Sequence, residues 1–179
     1  MKLIESLKKA PIIKKNGYRY VVHPITDGIP YIEPDLLNEI VNEILKEMPE
    51  CNRIVTIEAM GIPIATALSM KTNIPFTIIR KRKYGLPLER EIIQKTGYSE
   101  KKLYINGLQE GENVIIVDDV LSTGGTLTAL VKALKEMGIN IRGIFIAINK
   151  GDKEKIEKEI GIKIKTIVNI EVNDEIKIL

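Results

Sequence analysis

The chemistry this chain can do is concentrated in one run, Val114-Ile115-Ile116-Val117-Asp118-Asp119-Val120-Leu121-Ser122-Thr123-Gly124-Gly125-Thr126. A β-branched apolar stretch meets two adjacent carboxylates, then a Ser-Thr-Gly-Gly-Thr turn, then an amphipathic segment of helical period. Two glycines let the backbone come close to a bound group and turn N–H groups towards an anion. The helix N-terminus that follows adds partial positive charge, and three hydroxyls supply further hydrogen bonds. This is the composition of a phosphate cradle. No lysine follows the second glycine, so it is not a Walker A loop, and the spacing is not that of the dinucleotide fingerprint. Asp118 and Asp119 suit the vicinal hydroxyls of a ribose and a magnesium ion. A phosphate seat beside a diol-binding acid pair points to a ribose 5-phosphate. The bland alternative, a capped strand-to-helix turn with solvated acids, leaves the crowding of polar groups at one junction unexplained.

Such a turn needs a sheet to hold it. Short β-branched runs at Arg53 to Ile57, Pro75 to Arg80, Asn113 to Val117, Ile141 to Ile148 and Lys163 to Ile170 predict strands. They lack strict alternation, as strands buried on both faces do. Between them lie helical patterns. Leu36, Leu37, Ile40, Val41, Ile44, Leu45 and Met48 form one apolar stripe after Pro34 and Asp35. Gly61 to Lys71 is a second helix; Leu127, Leu130, Val131 and Leu134 make a third, closed by Gly138. Asp152 to Glu159 is a short, charged fourth. Alternation at this spacing predicts an α/β fold with a parallel sheet, its ligand outside the carboxyl ends of the strands. The stretch Lys81 to Asn106 is long, polar and basic, contains Gly85, Pro87 and Gly97, and reads as a functional loop. The first 33 residues fit no βα unit and are expected to form a small cap.

With 179 residues, 44% hydrophobic and 28% charged, the chain is expected to be one globular domain, 1–179, with a real core. The single cysteine, Cys51, cannot form an internal disulfide, which fits a reducing cytoplasm, and reads as structural. Apolar stretches are too short to span a membrane, and no signal segment is visible at the start. A net charge of +3 is too mild to argue nucleic-acid binding. Abundant isoleucine, lysine and glutamate lean towards a thermophile.

The segment Asp118 to Thr126 resembles the phosphoribosyl pyrophosphate (PRPP) signature of type I phosphoribosyltransferases. Ile57-Glu58-Ala59-Met60-Gly61-Ile62 is similar to that family's pyrophosphate loop, and Ile79-Arg80-Lys81-Arg82-Lys83-Tyr84-Gly85-Leu86-Pro87 to the start of the mobile loop of adenine phosphoribosyltransferases. Ile148-Asn149-Lys150 resembles the base-binding strand of xanthine phosphoribosyltransferases. As a whole, the chain resembles the archaeal hypoxanthine/guanine branch.

The resemblance implies a parallel twisted sheet flanked by helices, with a hood from about residues 1–33 and 150–179. It implies transfer of ribose 5-phosphate from PRPP to hypoxanthine or guanine with release of pyrophosphate, Mg²⁺ as cofactor, and a homodimer. By match to the motif, Ser122, Thr123, Gly124, Gly125 and Thr126 would hold the 5-phosphate. Asp118 and Asp119 would hold the ribose hydroxyls and, through water, the metal. Ala59, Met60 and Gly61 would present backbone to pyrophosphate, often across a non-proline cis peptide, with Glu58 supporting the turn. Lys81, Arg82 and Lys83 would close on pyrophosphate. Lys150 would donate to the O6 of a 6-oxopurine, since adenine offers a donor there. Ile25 or Tyr31, in the cap from Tyr20 to Ile32, would stack on the base, and His23 packs within that cap.

Two positions depart from relatives. Met60 stands where adenine enzymes usually carry arginine. Ser122 stands where the animal and bacterial hypoxanthine/guanine enzymes have an aspartate, which leaves Glu89 and Glu91 as candidate bases. The competing expectations are the same reaction on adenine or xanthine, a pyrimidine enzyme, and a non-catalytic PRPP-sensing regulator. The regulator is disfavoured because no basic recognition helix precedes the pyrophosphate loop.

Overall fold

The computed structural model describes residues 1–95 and 99–179. The chain opens with helix α1 (Lys2–Lys8), a hairpin of β1 (Ile12–Lys15) and β2 (Tyr18–Val21), and one helical turn, α2 (Pro24–Asp27). There follow α3 (Pro34–Leu45), β3 (Arg53–Ile57), α4 (Gly61–Thr72) and β4 (Phe76–Ile79), then a second hairpin, β5 (Arg90–Lys95) and β6 (Glu100–Ile105). The remainder is β7 (Asn113–Leu121), α5 (Gly125–Glu136), β8 (Asn140–Asn149), α6 (Lys153–Ile160), β9 (Ile164–Val172) and β10 (Ile176–Ile178).

Six strands form the central sheet in the order β10-β9-β8-β7-β3-β4. All neighbours run parallel except the edge pair β9–β10. Parallel neighbours cannot be joined by a tight turn, so helices cross between them, and both faces of the sheet are covered. That is why the strand sequences do not alternate. Val55, Ile57, Val114 and Ile116 face a core built with Leu127, Leu130 and Leu134 of α5 and Ile156 and Ile160 of α6. Ile54, Ile115, Val117 and Ala147 face the other core, with residues of α1, α3 and α4.

After β3 the chain crosses to β4 on one side; β7 then enters on the other side of β3. The connections leaving β3 and β7 therefore diverge, and a crevice opens at the carboxyl ends of these two strands. In open parallel sheets this reversal is where ligands bind. The Glu58 to Gly61 turn follows β3, and the Ser122 to Thr126 turn follows β7.

Three expectations need correction. The stretch from Lys81 to Asn106 is not a loop throughout: β5 and β6 pair antiparallel from Arg90↔Ile105 to Lys95↔Glu100, and Ile92, Leu103 and Ile105 are buried in the first core. Gly97 lies outside the described residues. Strand β7 does not stop at Val117 but continues through the acid pair to Leu121, with Asp118 opposite Ile146 of β8. The C-terminal segment is not only hood, because β9 and β10 extend the central sheet. Within residues 1–33, expected as a cap, Leu3 and Leu7 of α1 are fully buried in the second core.

Candidate active site

The crevice holds a cavity of about 530 Å³. One wall is Ile57, Glu58 and Ala59 after β3; the other is the continuous run Asp118 to Leu127. Lys81 reaches it from the segment after β4, and Gln94, Lys101 and Lys102 reach it from the β5–β6 hairpin.

The turn after β3 is fixed from both sides. The Glu58 carboxylate accepts the Lys81 backbone N–H at 2.5 Å and lies 3.4 Å from Arg80. The Lys81 N–H, with Arg80 beside it, holds this carboxyl below the usual range. The Glu58–Ala59 peptide is cis. Gly61 then starts α4 so close to the sheet that a Cβ there would lie 2.0 Å from Thr56 Oγ1 and 3.0 Å from Asp118 Oδ1. Close approach, not turn geometry, demands glycine at this position. The Thr56 hydroxyl beneath it is buried without a hydrogen-bond partner.

Across the crevice, Asp119 is 8% exposed, and its backbone N–H donates to Asp118 Oδ1 at 2.9 Å. Burial raises both carboxyls; that of Asp119 is pushed up to about 9 by burial and by its hydrogen bond and proximity to Asp118. Burial thus favours the protonated form of the pair. Ser122 and Thr123 are exposed, Gly124 takes the left-handed conformation at φ 79°, and α5 begins without a side-chain cap. The N-cap of this 12-residue helix thereby leaves its first N–H groups without a side-chain acceptor, which suits an anion.

Among the described residues, no three His, Cys, Asp or Glu side chains converge to hold a metal. Two adjacent carboxylates at the cavity do fit a magnesium ion that keeps several waters and is otherwise held by substrate phosphates.

Beside the cavity, with Val120 in the wall of both, lies a recess of about 70 Å³. It is lined by Leu7, Tyr20, Val21, His23, Thr26, Ile148, Lys150 and Ile170 as well as Val120. The Lys150 ammonium sits 5.5 Å from the centre of the Tyr20 ring, a cation–π contact. The Tyr20 hydroxyl donates to Asp27 at 2.5 Å, which raises the phenol to about 12. Burial alone would raise the Asp27 carboxyl, but the Thr26 and Tyr20 hydroxyls and the His23 N–H hold it low. Such a volume takes about two waters.

Of the residues singled out from sequence, Glu58, Ala59, Lys81, Asp118, Asp119 and Ser122 to Thr126 come together around one cavity, and Lys150 around its neighbour. Others do not. Arg82 lies over the Tyr84 ring at 5.4 Å instead of lining the cavity, and Lys83 does not line it either. Met60 packs with its Cε near Gly28 of the cap. Ile25, expected at the base, is 1% exposed and sits in the second core, because α2 turns it inward. Tyr31 is 63% exposed and lines neither space. Glu89 is occupied elsewhere: its carboxylate accepts from Tyr84 N–H, Gly85 N–H and the Asn106 amide, a clamp on the segment between β4 and β5. Glu91 faces Lys102 at 3.8 Å on the hairpin. Sequence reasoning missed Gln94, Lys101, Lys102 and Tyr20. The hairpin residues sit in a stretch with no readable period, while Tyr20 was visible as the first residue of the cap.

Residues 35–177 match the family described as the phosphoribosyl transferase domain. The chain belongs to that family. A curated relative from Methanocaldococcus infernus, named hypoxanthine/guanine phosphoribosyltransferase, is 56% identical over 97% of both chains. Another of that name, from Ferroglobus placidus, is 52% identical over 99% of this chain and 96% of its own. The fold is shared with solved adenine phosphoribosyltransferases. That from Thermoanaerobacter pseudethanolicus superposes with a TM-score of 0.74 at 24% identity, covering 93% of this chain and 99% of its own. That from Saccharomyces cerevisiae gives 0.75 at 20% identity, over 93% and 98%. The phosphoribosyltransferase is therefore an enzyme of type I fold, and its switch-point crevice is the place to look for phosphoribosyl transfer.

Proposed function

We propose that this phosphoribosyltransferase moves ribose 5-phosphate from PRPP to a nitrogen of hypoxanthine or guanine, forming the nucleotide and releasing pyrophosphate. The observation that carries this reading is the shared wall at Val120: the phosphate cradle and acid pair line one space, and a lysine-bearing recess opens directly beside it. The sugar's C1 would lie between the two.

In this reading the 5-phosphate sits on Ser122 to Thr126 at the start of α5. Asp118 and Asp119 accept the ribose hydroxyls. The backbone of Ala59 to Gly61, and Lys81, face the leaving pyrophosphate. Transfer develops positive charge on the ribose and negative charge on pyrophosphate, so fixed cations and N–H groups stabilise the transition state more than the ground state. Asp118 and Asp119 would hold a magnesium ion through water, and that ion would supply charge neutralisation for the leaving pyrophosphate. Lys150, once free of Tyr20, donates to the O6 of the base. The names of the curated relatives support the same base class. Glu89 is held by three hydrogen bonds between β4 and β5, Glu91 pairs with Lys102, and neither carboxylate lines the cavity, so neither is assigned as the base. A homodimer working in the cytoplasm completes the reading. Among the described residues, no helix is long and apolar enough to cross a membrane.

The test is to incubate purified protein with PRPP, Mg²⁺ and each purine separately and follow nucleotide by chromatography. Turnover of hypoxanthine and guanine, lost or shifted in preference by Lys150→Ala, is the expected result. Turnover of adenine alone would refute the base assignment and leave the PRPP site standing. Tight PRPP binding with no turnover of any base would point to a regulator.

A further inference from the structure

Gln94 projects from strand β5 onto the first turn of α5. Its Oε1 accepts a hydrogen bond from Thr126 Oγ1 at 2.8 Å. Its Nε2 lies only 2.2 Å from where a Cβ on Gly125 would stand, so the amide rests directly on the glycine backbone. No side chain caps this helix. A neutral amide is a poor occupant for such a place, because a helix N-terminus with exposed N–H groups favours a full negative charge.

We propose that Gln94 is a placeholder in the phosphate seat: its amide occupies the Gly125–Thr126 position in the empty enzyme, and an incoming phosphate monoester displaces it. The claim rests on the reading of Ser122 to Thr126 as the 5-phosphate cradle and adds a role to a residue outside that motif. Both acceptors need the same Thr126 hydroxyl and the same face of Gly125, so they exclude each other. Displacement breaks the Gln94–Thr126 hydrogen bond between the outer part of the hairpin and α5. It does not detach the hairpin, since Arg90 still pairs with Glu136 at the far end of α5, and Ile92, Leu103 and Ile105 stay in the core. Lys101, paired opposite Gln94, and Lys102 beside it thereby lose that tie to α5. Gln94 is a positioning residue here. It reports occupancy of the phosphate seat to the hairpin that lines the rest of the cavity.

Ribose 5-phosphate, titrated calorimetrically without divalent metal, tests this in the wild type and three variants. Gln94→Ala binds about two- to tenfold tighter, the worth of one hydrogen bond that no longer has to be given up. Gln94→Glu binds more weakly than the wild type, because its carboxylate holds the seat with the charge the site favours and repels phosphate. In turnover, Gln94→Ala lowers the KM for PRPP and leaves that for the base unmoved, whereas a merely structural role in the hairpin would move both. Thr123→Asp, at an exposed position of the cradle away from Gln94, separates the two claims. If it binds ribose 5-phosphate as well as the wild type does, the cradle reading falls and the placeholder with it. If it loses binding while Gln94→Ala binds equally or more weakly than wild type, the cradle stands and the placeholder alone is overturned.

Discussion

Asp119 shows what a binding site asks of a fold. Its carboxyl titrates near 3.8 in an unfolded chain and is pushed up to about 9 in the crevice, first by burial. Between those values the folded state binds more protons than the unfolded state, so stability is fully present below about pH 4 and is lost as the pH rises towards 9. Asp119→Asn keeps the shape and removes the titratable group. At pH 8, thermal scans of the unliganded variant should show a melting temperature above that of the wild type, by about 2–4 °C for each kcal/mol relieved. At pH 4 the two should melt together, and turnover should be lost in the variant at both. A higher wild-type melting temperature at pH 8 would mean that the pair is ionised and compensated. The site thus carries a buried acid that costs stability above pH 4, and its use comes only with its ligand.

At the scale of elements, the cap is held by a histidine in a defined tautomer. His23 Nδ1 accepts the Ile25 N–H at 3.2 Å as the N-cap of α2. Nε2 therefore carries the proton and donates to Ser6 Oγ at 2.8 Å, and that hydroxyl donates in turn to Leu3 O. Burial lowers His23 to about 4. A histidine kept neutral contributes stability that is present above 6.5 and lost as the pH falls towards 4. Asparagine also caps a helix through its side-chain oxygen and does not titrate. The wild type should therefore melt above His23→Asn at pH 7, with the gap closing by pH 4 in parallel scans. Elements with a strong period were legible in the sequence: the five parallel strands and four of the helices lie where the apolar pattern predicts. The β5–β6 hairpin was not, because Arg90 to Lys95 and Glu100 to Ile105 extend past the core, and among the described residues of these strands only Ile92, Leu103, Tyr104 and Ile105 are buried. With its outer half in solvent the hairpin shows no alternation, so Gln94 carried no signal. Ile25 misled for a related reason. An apolar residue in a cap can face base or core, and the His23 cap turns α2 so that it faces the core.

At the scale of the whole molecule, residues 1–33 have a topology of their own but share a core with the rest of the chain. Leu3 and Leu7 are fully buried in the core shared by α3, α4 and the sheet. Glu39 of α3 accepts the N–H groups of Lys2 and Leu3 at 2.9 and 2.8 Å, anchoring α1 by its free end. Leu7→Ala should cost about 2–5 kcal/mol and shift a single calorimetric transition downward. Two transitions, with the lower one alone displaced, would mean that the cap melts as a separate domain. The strand order has a consequence in time as well as in space. The site's two walls are attached to β3 and β7, and the contact from Asn52 to Asn113 beside that pair spans 61 residues. Local helices and the β7–β8 pair form at smaller cost in chain entropy than this closure does. A refolding chain can therefore regain most of its helical signal while its two phosphate-facing turns are still strangers, and catalytic competence is the last property to return.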